Sequence, residues 1–215
     1  MGMFSDYVQN KMTDLLYRGQ AFTAPATLYF GLLICSKGAR ANSTSYALND
    51  TLAILANDSK YHLYKVTTAG TTAASQSTLY PGAVGEAITD GSAVMTEQNA
   101  TLDANTAQVE PSGGSYARAA LTASLANWSG TQGAATTSAS SGTSGQSSNN
   151  VDIIFPQPSA DWVSGTQKIW GWACWDASSA GNLLDWGPLG TLQTIANGQA
   201  APKFASTALS KTIGS

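Results

Sequence analysis

Apolar residues recur at three- and four-residue steps at the start of the chain. Phe4, Tyr7, Val8, Met12, Leu15 and Leu16 form one stripe, interrupted only by Lys11. That period predicts an amphipathic helix over 4–18, with those apolar residues as its packing face. Ser5 is placed to cap it and Gly19 to end it. The pattern then changes. Thr27 to Cys35 (TLYFGLLIC) is almost continuously apolar, which predicts a strand buried on both faces. Residues 38–51 are polar and read as a loop. Residues 60–68 alternate like a strand. Residues 87–97 read as a tight hairpin turning at Asp90-Gly91.

Alternation returns over 113–125, with Ala117, Ala119, Leu121, Ala123 and Leu125 on one side and Tyr116, Arg118, Ala120, Thr122 and Ser124 on the other. Residues 129–150 contain almost nothing but Ser, Thr, Gly, Ala, Gln and Asn, and read as a flexible loop or arm. Residues 151–155 resume a strand. Residues 168–176 (KIWGWACWD) form the richest one. Simple alternation puts Trp170, Trp172 and Cys174 on one face and Ile169, Gly171, Ala173 and Trp175 on the other. Ser178 to Asn182 makes a turn, Leu183 to Leu189 returns with Trp186, and a last strand is expected near 204–209.

Many short strands separated by turn signals, with one helix in front, predict a mainly β fold. The expected architecture is an antiparallel β-sandwich with one N-terminal amphipathic helix and a small inserted β module. The body comprises 1–37 plus 110–215, the module 57–99, and the flexible loop 129–150.

The tryptophans alter what this pattern means. Trp162, Trp170, Trp172, Trp175 and Trp186 crowd into one region, with Trp128 just upstream. They are expected to form core or interface together with Tyr116 and Arg118, because aromatics dominate both settings. The competing reading is a platform for stacking sugars. Arg118 is placed to stack on a ring or clamp a carboxylate. The glycines Gly113-Gly114 ahead of it precede a strand and lack a lysine, so the segment does not read as a phosphate loop.

Charge narrows the function classes. Only 11% of residues are charged and the net charge is −3, against about 25% charged in ordinary globular chains. Lysines and arginines are scattered singly, which argues against nucleic-acid binding. A surface rich in Ser, Thr, Asn, Gln, Gly and Ala suits a subunit that buries much of itself in an assembly. No apolar run is long enough to cross a bilayer, and the N-terminus lacks the pattern of a signal peptide. Cys35 and Cys174 lie in apolar runs and read as buried free thiols.

Candidate chemistry is sparse. His62 is the one histidine, so neither a zinc set nor a Ser-His-Asp triad assembles convincingly. No catalytic residue, metal site or cofactor is expected. Asp152, Asp161, Asp176 and Asp185 lie near tryptophans, the combination that glycoside hydrolysis uses, but each also sits where a strand or turn ends.

Several motifs fall in a fixed order. Ser5-Asp6-Tyr7, Lys11, Asp14, Leu16 and Arg18-Gly19 are followed by Thr23-Ala24-Pro25-Ala26-Thr27-Leu28-Tyr29. Gly113 to Arg118 reads G-G-x-Y-A-R. Ile153 to Pro156 precedes Ala160-Asp161-Trp162, and Asp176 to Leu189 reads D-A-x-x-x-G-N-L-L-x-x-G-x-L. This series resembles a family of small phage virion structural proteins commonly labelled tail-fibre proteins. Between the first strand and Gly113 the chain carries an insert. Its Tyr64 to Gly70 and Ile88 to Gly91 segments resemble a β module recurring in phage fibre and virion proteins.

The resemblance implies a non-enzymatic bacteriophage structural protein located in the virion and synthesised in the host cytoplasm. A tail-associated fibre or adaptor subunit is the leading expectation. The alternatives are a capsid decoration or head-fibre protein, and a carbohydrate-binding module for the host surface. The implied partners are other virion proteins (tail, adaptor or portal, or major capsid protein) and further copies of the chain, with a host glycan as a further candidate. Neither nucleic acid nor membrane insertion is implied.

Overall fold

The computed structural model describes residues 3–131, 138–141 and 145–212. The chain opens with β1 (Met3–Phe4), α1 (Asp6–Tyr17) and β2 (Thr27–Cys35). Next come β3 (Ser45–Tyr46), β4 (Thr51–Leu55), β5 (Tyr61–Thr68), β6 (Gly70–Thr71), β7 (Ala87–Asp90), β8 (Ala93–Glu97) and a short α2 (Asn99–Asp103). The remainder contains β9 (Ala119–Thr122), β10 (Gln146–Ser148), β11 (Ile153–Ile154), β12 (Lys168–Trp175), β13 (Leu183–Gln193), β14 (Lys203–Phe204) and β15 (Ser210–Thr212). Strand is 36% and helix 8%, so the fold is mainly β.

Five strands form the principal sheet in the order β1-β13-β12-β2-β9, with every neighbouring pair antiparallel. Apolar clusters cover both of its faces. On one face Phe30, Leu32, Ile169, Trp172 and Cys174 meet Ile153, Phe155, Trp162 and Leu209 from the irregular layer that contains the β10-β15 and β11-β14 ribbons. On the other face Leu33, Cys35, Trp170, Trp175, Leu183 and Trp186 meet Ala53, Leu63 and Leu102. β2 is therefore apolar on both sides because both sides are covered.

Ala53 and Leu63 belong to a second, four-stranded sheet, β4-β5-β8-β7. Its other face packs Leu52, Ile54, Tyr64, Val66, Ile88 and Met95 around a core of its own. This sheet begins at Thr51, ahead of the expected module start at residue 57. Thr51 to Leu55 is the edge strand that pairs with β5, and its short apolar run is easily lost beside the polar loop before it. The hairpin loop also sits one residue later than predicted. Asp90 pairs with Ala93, so Gly91 and Ser92 make the turn, and Gly91 takes the positive φ of 67° that a tight hairpin requires.

The helix is shorter than its stripe. Ser5 Oγ accepts from Val8 N at 3.3 Å and donates to Leu183 O, so the cap is also a tether to β13. Phe4 consequently lies outside the helix, in strand register with Asp185. Phe4, Tyr7, Val8 and Met12 do reach the first core cluster. Leu15 and Leu16 do not: they are 41% and 64% exposed and outside that cluster. Gly19 follows the helix with φ 64°.

The predicted strand over 113–125 shrinks to β9. Gly113 to Tyr116 forms a turn instead, closed by Tyr116 N donating to Gly113 O. Ala119 and Leu121 of β9 face inward, while Leu125 is 56% exposed beyond its end. Residues 132–137 and 142–144 of the expected flexible loop lie outside the described residues. The end of that stretch is structured: Gln146–Ser148 pairs with β15. Serine hydroxyls do the work that apolar side chains do elsewhere. Ser129 Oγ and Ser148 Oγ lie 2.9 Å apart, and Ser148 N donates to Ser129 Oγ at 2.8 Å.

Candidate functional site

The tryptophan belt is organised by an irregularity in β12. Ile169 pairs with Ile34 and Gly171 with Leu33, so Trp170 is an extra residue on β12. Such a bulge puts two successive side chains on one side of the sheet. Trp170 therefore joins Ala173 and Trp175 on the face covered by β4 and β5, whereas Trp172 and Cys174 occupy the opposite face. This corrects the alternation that placed Trp170 and Trp172 together. Nothing in the local sequence announces the bulge except Gly171, whose missing side chain gives room beside Gly187 O and Leu33.

All five clustered tryptophans are buried, with exposures between 1% and 6%. Trp170 meets Trp186 edge-on at 6.1 Å, and Trp162 meets Tyr116 edge-on at 5.1 Å. Three indole N–H groups have partners: Trp162 donates to Gly114 O (2.8 Å), Trp175 to Asn105 Oδ1 (3.2 Å) and Trp186 to Asp103 Oδ1 (2.7 Å). These five rings therefore present no open face on which a sugar could stack. Trp128, half-buried, stacks on Phe30 at 5.9 Å.

Tyr116 and Arg118 converge on Glu110, a residue that sequence reasoning missed. Arg118 donates from Nε and Nη2 to Glu110 Oε2 at 3.0 and 2.7 Å. Its Nη1 donates to Ala177 O and Ala180 O, holding the turn between β12 and β13. The guanidinium also stacks 3.6 Å from the centre of the Trp175 ring. Tyr116 Oη donates to Glu110 Oε1 (2.7 Å) and accepts from Leu32 N (2.9 Å). Burial and the adjacent carboxylate push its pKa well above the ordinary phenol value. Gly31 makes room for this node. A methyl there would collide with Glu110 Oε1 and stand 2.8 Å from Trp175 Cζ3 and 2.9 Å from Tyr116 Oη. Gly31→Ala is therefore expected to cost about 1–3 kcal/mol by overpacking, read as a lower urea midpoint at unchanged m-value.

On the opposite face Asp185 and Lys211 form a buried ion pair, with Lys211 Nζ 3.5 Å over the Trp172 ring. Burial pushes the carboxyl pKa up and the ammonium pKa down. The other aspartates near tryptophans make local contacts. Asp152 pairs with Lys203 (2.6 Å), Asp161 accepts from Asn197 N (2.7 Å), and Asp176 accepts from Asn182 N (2.7 Å). His62 lies 3.7 Å from Glu97 Oε1 and 3.1 Å from Asp58 Oδ2, and these carboxylates raise its pKa. Among the described residues no group of three or more His, Cys, Asp or Glu side chains is arranged to hold a metal. Cys35 and Cys174 are buried free thiols, in different clusters on opposite faces of the principal sheet. No described helix is long and apolar enough to cross a membrane.

Exposed apolar side chains occur at several places, among them Leu48, Leu79, Val84, Ile154 and the end of α1. Tyr17 is 83% exposed and adjoins Leu15 and Leu16 at the end of α1. No curated protein matches this chain. A family model does, described as Podophage GP4 fiber I protein gp80, and it matches residues 3–97 and 92–212. Together these matches run through the helix, the second sheet, the Glu110–Arg118 node and the tryptophan belt. The chain therefore belongs to the podophage GP4 fiber I protein gp80 family and is a phage fibre protein, a component of the virion.

Proposed function

We propose that this chain is a non-enzymatic, tail-associated subunit of the phage fibre that assembles through protein–protein contacts. Its neighbours are further copies of itself and other virion proteins of the tail, adaptor or portal. The observation that carries this reading is the end of α1, where Leu15, Leu16 and Tyr17 stand exposed on a chain with few charges. Burying such a patch against a neighbour removes apolar surface from water, with the exposed Asp14–Arg18 pair (3.3 Å) at its rim. The division of labour follows the sheets. The principal sheet forms the scaffold, and the second sheet, packed on it through Ala53 and Leu63, offers a second contact surface. The same surfaces would serve a capsid decoration or head-fibre protein, which differs in its place on the particle rather than in its chemistry.

Native mass spectrometry tests the assembly reading. The intact chain is expected to form a discrete homo-oligomer. Leu16→Ser/Tyr17→Ser is expected to shift it to monomer with stability changed by no more than about 0.5 kcal/mol, since both side chains are exposed. A monomeric parent, or an oligomer indifferent to these substitutions, would contradict the role given to α1.

A further inference from the structure

Asp185 and Lys211 meet across two layers of the fold. Asp185 lies in β13, opposite Phe4 of β1 and Cys174 of β12. Lys211 lies in β15, opposite Ser147 of β10. Lys211 Nζ touches Asp185 Oδ2, and the two side chains are only 16% and 10% exposed. Among the described residues neither Lys211 Nζ nor Asp185 Oδ1 has a hydrogen-bond partner of good geometry. The pair is thus held in contact without the surrounding hydrogen bonds that offset the cost of burying two charges.

Its surroundings are apolar. A cleft of about 290 Å³ leads to the pair, walled by Phe4, Val8, Phe30, Trp128 and Leu184. The centre of the Trp172 ring lies 3.5 Å from Lys211 Nζ. Burial favours the uncharged form of each partner, raising the carboxyl pKa and lowering that of the ammonium. Proton transfer across the contact gives a carboxylic acid facing a free amine, with no change in net charge. Cys174 lines the same cleft, but burial keeps its thiol protonated, so it does not compete as a nucleophile.

We propose that Asp185 and Lys211 condense into an intramolecular isopeptide bond that ties β15 to β13. The lone pair of Lys211 Nζ attacks Asp185 Cγ and forms the new C–N bond. One Cγ–O bond breaks, and the hydroxyl takes a proton from the attacking amine and leaves as water. No oxidant, reductant or co-reactant enters the balance. Two effects favour the step. Well-oriented groups within one framework react with effective molarities of about 10⁵–10⁸ M. The product amide is neutral, which removes the desolvation cost of two buried charges. The cleft gives the released water a way out. The bond closes the chain from β13 through β14 to β15 into a covalent loop, so the β10-β15 ribbon cannot peel from the principal sheet. The proposal does not rest on the assembly reading.

Mass spectrometry of the intact chain, freshly purified and after prolonged incubation at neutral pH, is the test. The folded protein is expected one water below the mass calculated from its sequence. Trypsin should then fail to cut after Lys211 and release a branched peptide that joins 169–203 to the segment beginning at residue 204. Lys211→Arg keeps the cation but cannot form this amide, and is expected at its full calculated mass. Peptide mapping of the parent locates the bond whether or not that variant folds. An unreacted mass after incubation would overturn the proposal. So would a water loss that persists in Lys211→Arg, because a succinimide at Asp90-Gly91 gives the same mass change without joining two peptides.

Discussion

Trp172→Ala is expected to lower the unfolding free energy by about 3–5 kcal/mol, the range for deleting a buried aromatic. Trp172 is 6% exposed and lies near Phe30 and Phe204, with ring centroids 6.4 and 6.5 Å away. Gly187 gives its ring room: a Cβ there would stand 3.2 Å from the indole. The same ring lies under Lys211 Nζ. Alanine therefore opens a cavity in the first core cluster and removes the aromatic partner of an ammonium that is already costly to bury. Thermal and urea unfolding followed by circular dichroism would measure the loss. A variant of unchanged stability that lost affinity for glycans would mean that the belt is a recognition surface rather than core.

Asp90→Ala is expected to cost a similar amount, about 3–5 kcal/mol, because it strands a buried charge. The side chains of Arg40 and Asp90 are 2% and 0% exposed. Arg40 donates to Asp90 through Nε (2.5 Å) and Nη2 (3.0 Å), and Nη2 also donates to Ala73 O (2.8 Å). Asp90 Oδ1 accepts from Ala73 N, and Oδ2 accepts from Tyr80 Oη. The pair thus ties the loop after β2, the segment after β6 and the end of β7 into one module. Burial opposes ionisation of Asp90, but the Arg40, Ala73 and Tyr80 hydrogen bonds prevail and hold its pKa below 3.8. A carboxyl whose folded pKa lies below its unfolded one stabilises fully above the unfolded value, near 3.8, and loses that contribution as pH falls through the folded one. Asp90→Ala should therefore flatten the stability profile below about pH 4, while the wild type declines there. Equal acid slopes in the two proteins would contradict the role of the pair.

Local pattern carried much of the architecture. The strand over Thr27–Cys35, the cap at Ser5 and the β12-turn-β13 unit follow from apolar runs, a hydroxyl before a helix and small residues at a turn. What escaped was set by contacts distant in sequence. Glu110 sits at the end of a polar stretch, and only the fold brings it under Tyr116 and Arg118. Asp90 read as a turn residue because Asp-Gly is a strong hairpin signal, yet Arg40 holds it as the last residue of β7. The extra residue at Trp170 is marked locally only by the neighbouring Gly171, and it reversed the side on which one tryptophan lies. Leu15 and Leu16 keep helical spacing whether or not a sheet lies beneath them, so periodicity could not tell a packed stripe from an exposed one.

That exposed stripe makes the place of the chain in the particle the central question, and cryo-EM of purified virions answers it most directly. Density for both sheets in a symmetric oligomer at the tail, with the Leu15–Leu16–Tyr17 end of α1 buried against a neighbouring subunit, is the expected result. Density repeated across the capsid lattice, or virions lacking the chain altogether, would contradict it.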